Sequence, residues 1–319
     1  MSKCASLLTV LFSALLAGCN PFENAIYFRV INDDGSPVAG AIVKVSWTTD
    51  EEWGPSQHPG TPHAMTVIPD SSGSIHARVS ADHYASVEVN EPGFYSSYVG
   101  VAEPGLLQHA SSATAISIKM RRIVAPRPLI AKRAWVVLPT SSGEAEYDFL
   151  AGDLVAPLGK GENSDCVLRW SRPANNLTVE KRGHYEMSFP QPGSGIIAQR
   201  VNNDSSVLRS ALRSEKSAPI GVYEPSMRDS ETAAGFGDRG PWDCGVIYYF
   251  RVARHGTILH GKILGEPELI FFADGSRPVL EFTYAVNPSG DLSLEPDTNA
   301  ISFPKANPYE QPYNLPEPD

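Results

Sequence analysis

The sequence predicts a mostly β protein built as two successive β-rich domains, with one short helix in the second. Three observations predict it. Short runs of β-branched and aromatic residues recur along the chain, clusters of Gly, Pro, Asn, Asp and Ser separate them at sandwich-like spacing, and a single segment carries a helical apolar period. With 42% hydrophobic residues in a chain of 319, there is material for two packed cores.

The first element is not part of either fold. An apolar stretch from Ala5 to Leu16 follows a short head carrying Lys3 and ends in Leu16-Ala17-Gly18-Cys19. A membrane-spanning helix needs ~20 apolar residues, and this stretch is too short. It reads as a signal peptide over residues 1–18, with the mature chain starting at Cys19. The four residues resemble the lipobox of bacterial lipoproteins, and the resemblance implies that Cys19 carries the lipid. Asn20 stands where an aspartate would resemble an inner-membrane retention signal, so the expected address is the cell envelope, at the outer membrane of a Gram-negative bacterium. Residues 19–24 are then a tether.

Ala25–Ile31 is β-branched and aromatic and runs into the turn formers Asn32-Asp33-Asp34-Gly35, which predicts a strand and its turn. Ala41–Trp47 predicts the next strand, with Ala41, Val43, Val45 and Trp47 on a core face and Ile42 and Lys44 opposite. Further strands are expected near 64–68, 74–79, 85–89 and 115–122.

Val30-Ile31-Asn32-Asp33-Asp34-Gly35-Ser36-Pro37-Val38-Ala39-Gly40-Ala41-Ile42-Val43 resembles the opening of carboxypeptidase regulatory-like domains. Asp70-Ser71-Ser72-Gly73 is similar to that family's second D-x-x-G turn, and Gly93-Phe94-Tyr95 to its G-Y element. The resemblance implies a non-catalytic, prealbumin-like (Ig-like) β-sandwich of about seven strands over residues 25–122. A polar insertion at 48–63, with Trp53, His58 and His63, departs from the pattern.

Pro126 and Pro128 restrict their neighbours to extended conformations, so residues 123–133 are read as a stiff linker, with docking against either domain as the alternative. Strands are expected from there at 134–138, 166–170, 185–189, 196–201, 246–252, 257–263, 268–272 and 279–286, within a β-rich domain over 134–302. Along 246–252, parity puts Val246, Tyr248, Phe250 and Val252 on one face and Arg251 on the other. Asp274-Gly275 predicts a hairpin, and the stripe Val207, Leu208, Ala211, Leu212 behind Asp204 or Ser205 predicts the helix. The segment Tyr147–Gly161 is similar to uncharacterised C-terminal regions of bacterial lipoproteins, which implies no activity. Prolines from 304 onward make 303–319 an extended tail.

Composition narrows function. A net charge of -10, with no basic cluster beyond Lys119–Arg122, gives no support to a nucleic-acid partner. Cys166 and Cys244 are the cysteines outside the signal and the anchor, and in an oxidising compartment they fit a disulfide, with two separate buried thiols as the alternative.

The richest polar segment holds Asp148, Asp153, Lys160 and Asp165 among glycines; it is a candidate for binding a cation or a sugar, or else a solvated loop. Trp53, surrounded by Asp50, Glu51, Glu52 and Gly54, is a candidate contact aromatic. No G-x-S-x-G, S-x-x-K set or H-E-x-x-H is present, so no catalytic residue, metal or cofactor is assigned.

The expected function is that of a non-enzymatic, lipid-anchored envelope protein whose modules contact a protein or glycan partner. The alternative is a surface hydrolase of carbohydrate using carboxylates of the second domain, such as Glu266, Glu268 and Asp274.

Overall fold

The computed structural model describes residues 24–49, 61–79, 85–101, 115–172, 181–182, 184–200, 212, 214–228, 246–271 and 277–297. Its chain divides into two compact units, Met1–Met120 and Arg121–Asp319. Both are built from strands, and the described residues contain no helix. The predicted helix and the Asp274-Gly275 turn lie outside the described residues, except Leu212, which is buried.

In the first unit, β1 (Asn24–Asn32) lies between β4 (Ser74–Val79) and β7 (Ile116–Met120). A second sheet runs β3 (Thr61–Val67), β2 (Ile42–Thr49), β5 (Ala85–Asn90), β6 (Ser97–Val101). Alternate residues of both sheets meet in one core that includes Ile26, Phe28, Val43, Val45, Ile75, Val87 and Ile118, so the unit is a seven-stranded sandwich. The predicted facing of β2 holds, because Val43 and Val45 are buried while Ile42 is exposed.

The turns Asn32–Gly35 and Asp70–Gly73 are each closed by a backbone hydrogen bond from the glycine N–H to the first residue's carbonyl. Asp70 accepts hydrogen bonds from the backbone N–H groups of Ser72 and Ser74, and from the Ser72 hydroxyl, which hold its carboxyl below the usual range. Gly73 takes a φ of 76° where its missing Cβ leaves room for the Val30 carbonyl. Strand β6 was not expected. It follows directly on Gly93–Tyr95, and Ser97 is fixed by a hydrogen bond from its hydroxyl to the Lys119 carbonyl.

The second unit is also two sheets around one core. One sheet runs β10 (Asp153–Leu154), β9 (Gly143–Asp148), β11 (Cys166–Ser171), β13 (His184–Ser188), β15 (Ser226–Arg228). The other runs β14 (Gly195–Arg200), β16 (Val246–Arg254), β17 (Thr257–Phe271), β18 (Val279–Asn287), β8 (Ile130–Val137), with β12 (Lys181–Arg182) also paired to β17. The strands predicted at 257–263 and 268–272 are one long strand, β17, whose register shifts between Leu264 and Glu268.

The core between the sheets is aromatic. Phe149 stacks on Phe250 at 4.2 Å and meets Tyr284 edge-on at 5.2 Å. Phe250 lies across from Gly261, where a side chain would collide with its ring.

Two expectations change here. Residues 123–133, read as a linker, are tied into the second unit: Val124 and Ala125 donate their N–H groups to the Glu295 carboxylate, Arg127 exchanges backbone hydrogen bonds with Glu295 and Asp297, and β8 begins at Ile130. Strand β16 is buried on both faces rather than one, since Ile247 and Tyr249 pack with Ala218, Tyr223 and Leu294. Segments 214–223 and 291–295, joined through Ala218 to Leu292 and Leu294 to Lys216, cover that outer face.

Candidate functional site

The six-stranded sheet has charged groups on both faces, and β16 carries them. Its even-numbered side chains continue the core face and end at Arg254. The odd-numbered side places Arg251 on the outer face.

Arg254 organises the polar segment singled out in the sequence. It bonds Asp165 at 2.5 and 3.1 Å and Asp148 at 2.7 Å. Asp148 accepts from the N–H groups of Leu150 and Ala151 with one oxygen, and from Glu162 and Asn163 with the other. Asp165 takes the N–H of Phe149. Burial pushes both carboxyls up, but in Asp148 the hydrogen bonds from Ala151, Arg254, Glu162 and Asn163 outweigh it, and the net shift is downward. In Asp165 burial prevails over Arg254, and the net shift is upward.

Asp153 receives the N–H of Leu154 and of Lys160. Lys132 donates to the Gly152 carbonyl at 2.5 Å, and burial lowers its ammonium to about 8 against the pull of Asp153. The loop is therefore a clamp, not a solvated loop. Asp148, Asp153, Asp165 and the Lys160 backbone come together, and the carboxylate oxygens accept from backbone N–H groups and from Arg254. A two-residue hairpin, with His255 at φ 50° and Gly256 at φ 82°, returns the chain from Arg254 and sets His255 against Asn163 at 3.1 Å.

Cys166 begins β11 beside this clamp as a free, buried thiol, not a visible disulfide partner. Burial pushes its pKa well above the usual range, so it behaves as a small hydrophobe. Cys244, Cys19 and Trp53 lie outside the described residues, as does Asp274.

On the outer face, Lys262 stands across from Tyr249 and is buried. Its ammonium donates to the Ser214 hydroxyl at 2.6 Å and to the Leu294 carbonyl at 2.7 Å. Burial, with Arg121 nearby, lowers it to about 7 despite the Glu295 carboxylate. Arg121 donates to the Ser214 carbonyl at 2.5 Å, and the Tyr249 hydroxyl accepts the N–H of Glu215. Glu281, across from Glu268 in the ladder, is engaged by Arg133.

One row further along, Arg251 pairs across the ladder with His260. The Arg251 guanidinium carbon sits 4.5 Å over the Tyr223 ring. Its Nε has no hydrogen-bond partner, and neither has Nδ1 of His260. Burial, and secondarily the Arg251 charge, lower the His260 imidazole, whose ring hydrogen bonds go to the backbone of Asp291 and Gly290. Exposed apolar side chains lie on the same segments: Ile220 is 96% exposed and Val222 80%, just before Tyr223, and Ile258 41%, two residues before His260.

Arg254, Lys262, Ser214, Tyr223 and His260 were not found from sequence. No local motif links them: Arg254 meets the aspartates only through the return of β16 on the core face, and Lys262, Ser214, Tyr223 and His260 meet only through the pairing of β16 with β17 and the return of 214–223 on the outer face. Arg251 alone was marked, by its parity. Among the described residues, no three His, Cys, Asp or Glu side chains converge as metal ligands would.

The chain matches no protein-family model, and no curated protein matches it. Among solved structures it is similar to a "putative carbohydrate binding protein" from Bacteroides uniformis, at 9% identity and a TM-score of 0.16, over 82% of this chain and 98% of that one.

Proposed function

We propose that this is a lipid-anchored protein of the cell envelope whose two β-rich units make contacts rather than perform chemistry. Anchoring rests on the lipobox-like residues ending at Cys19. Four residues separate Cys19 from the start of β1 at Asn24, a reach of at most roughly 17 Å, so the first sandwich would sit at the bilayer surface. Its Asn32–Gly35 and Asp70–Gly73 turns and its likeness to regulatory-like domains support a non-catalytic scaffold.

One observation carries the contact role: the nearly bare aliphatic side chains of Ile220 and Val222 project from a segment that is itself pinned, by Tyr223 to the Pro219 carbonyl and by Glu224 to Ile196. An exposed apolar pair on a fixed backbone is a surface made to be covered. The rival hydrolase reading needs two free carboxylates facing a cleft. Of the carboxylates named for it, Glu266 and Glu268 lie on β17 and Asp274 lies outside the described residues, while Asp148, Asp165, Glu281 and Glu295 are each engaged by an arginine or by backbone N–H groups.

Metabolic labelling with palmitate tests the anchor. The wild-type chain should take up label and sediment with membranes, and Cys19→Ala should do neither; an unlabelled wild-type chain would remove the anchor from the proposal. Turnover of an envelope glycan by the purified protein would remove the contact role.

A further inference from the structure

We propose that the first unit lays one face against the bilayer, the outer side of its three-stranded sheet β4-β1-β7, and that this face contacts the phosphate groups of anionic phospholipids. The inference rests on the lipid-anchor reading above and adds to it an orientation and a lipid class.

Strand parity builds the face. Ile26, Phe28 and Val30 fill the core, so Tyr27 and Arg29 turn outward from β1. On β4 the buried Ile75, Ala77 and Val79 alternate with exposed positions, among them His76 and Arg78. On β7 the burial of Ile118 and Met120 turns Ser117 and Lys119 to the same side. Register sets Tyr27 across from His76, with the two rings stacked at 4.6 Å, and Arg29 between Ser74 and Ser117. Arg29 and Arg78 are both exposed.

The sign of this face sets it apart. Among the described residues it carries Arg29, Arg78 and Lys119 and no carboxylate, because Asp33, Asp34 and Asp70 stand in the turns beyond its far end. Exposed arginines of the second unit are answered locally: Arg127 by Asp291, Arg169 by Glu144 and Arg228 by Glu186. A chain of net charge -10 is repelled as a whole by an anionic surface, so the side it turns to one must have the opposite sign.

The tether brings the occupant to the face. Arg78 pairs with Ala25, at the end of the ladder where β1 begins four residues after Cys19. From the level of Arg78 to that of Arg29 is four residues of strand, about 14 Å, while the tether reaches at most roughly 17 Å. Acyl chains on Cys19 therefore keep the whole face within reach of the headgroups. The Tyr27 ring, half-buried and flat against His76, is the kind of side chain that sits at headgroup level. So few cations bind a bilayer weakly by themselves: the acyl chains retain the protein, and the face orients it.

The test uses the lipidated full chain in vesicles of phosphatidylcholine, alone or with about one third phosphatidylglycerol. A fluorophore on Ser117→Cys, at an exposed position of the face, reports energy transfer to a headgroup-labelled lipid, and the unsubstituted chain labelled in parallel gives the background. Transfer should be at least about twofold higher in the anionic vesicles, and the gain should vanish between about 0.1 M and about 1 M salt, as the screening length falls from about 10 to about 3 Å. A probe on Ile42→Cys, exposed on the other sheet, should show no gain. The double variant Arg29→Gln/Arg78→Gln should lose the gain with an unchanged melting temperature, and Arg29→Lys/Arg78→Lys should keep it, since a bilayer reads charge rather than a guanidinium fork. Equal transfer in both vesicles, a gain that survives in the Gln variant, or an acidic oligosaccharide that binds the face while the anionic vesicles give no gain would overturn the proposal. Flotation with the neutral vesicles reports the anchor separately: a chain that floats with them yet shows equal transfer loses the face and keeps the anchor, and a chain that does not float with them loses the anchor.

Discussion

Two arginines three residues apart on β16 meet opposite fates. Arg254 is enclosed by two aspartates and by a loop whose N–H groups converge on them, whereas Arg251, on the other face, lies over the Tyr223 ring. The difference teaches where structure ends and contact begins in this unit. On the core side paired charge fixes a loop; on the outer side Lys262 is held by Ser214 and Leu294, and Arg251 is set against an aromatic ring.

The largest effect should come from the enclosed side. Arg254→Leu leaves Asp148 and Asp165 buried without their cation and should destabilise the second unit by about 3–5 kcal/mol in denaturant unfolding. A loss below 1 kcal/mol would mean that backbone N–H groups alone hold the clamp, and the contrast would fail.

Lys262 on the outer face comes next. Its amine titrates near 7 in the folded chain against 10.5 in the open chain, so the unfolded form binds the extra proton between those values. Stability should therefore rise as pH goes from 7 towards 10. Lys262→Met should abolish that rise and, at pH 6, stabilise by about 1–4 kcal/mol. A wild-type pH profile in the variant would show that Lys262 is not the titrating group.

Acid should act in the opposite sense through Asp148. Its folded carboxyl is held below 3.8, so its contribution is complete above that value and is lost as pH falls through the folded one. Asp148→Asn should flatten this part of the acid-unfolding curve. Smallest of all, Arg251→Met removes a half-buried charge that no ion pair answers among the described residues, and its melting temperature should match or slightly exceed the wild type. A clear drop would mean that the Tyr223 contact is structural and would blur the contrast at its sharper end.

The first unit was legible because its signals are local. The alternation of Val43, Val45 and Trp47, and the Asp70–Gly73 turn, state face and bend within a few residues. The second unit was less so. The strands β9, β10 and β15 carry Glu144, Glu146, Asp153 and Arg228, which dilute the apolar alternation that marks a strand. The clamp was half legible: the aspartates and glycines of 148–165 stand out, but the cation that answers them comes from about ninety residues later. That distance turned a buried network into an apparent surface loop. Likewise, the linker reading followed from Pro126 and Pro128, since nothing nearby reveals that Glu295 receives the intervening N–H groups.

The odd-and-even placement of the two arginines also guards the folding of β16 itself. Sliding that strand by one position against β17 would exchange its sides, carrying Arg251 into the aromatic interior and withdrawing Arg254 from both aspartates. A misaligned ladder would then strand three charges at once, so the strand that hosts both groups has only one tolerable alignment.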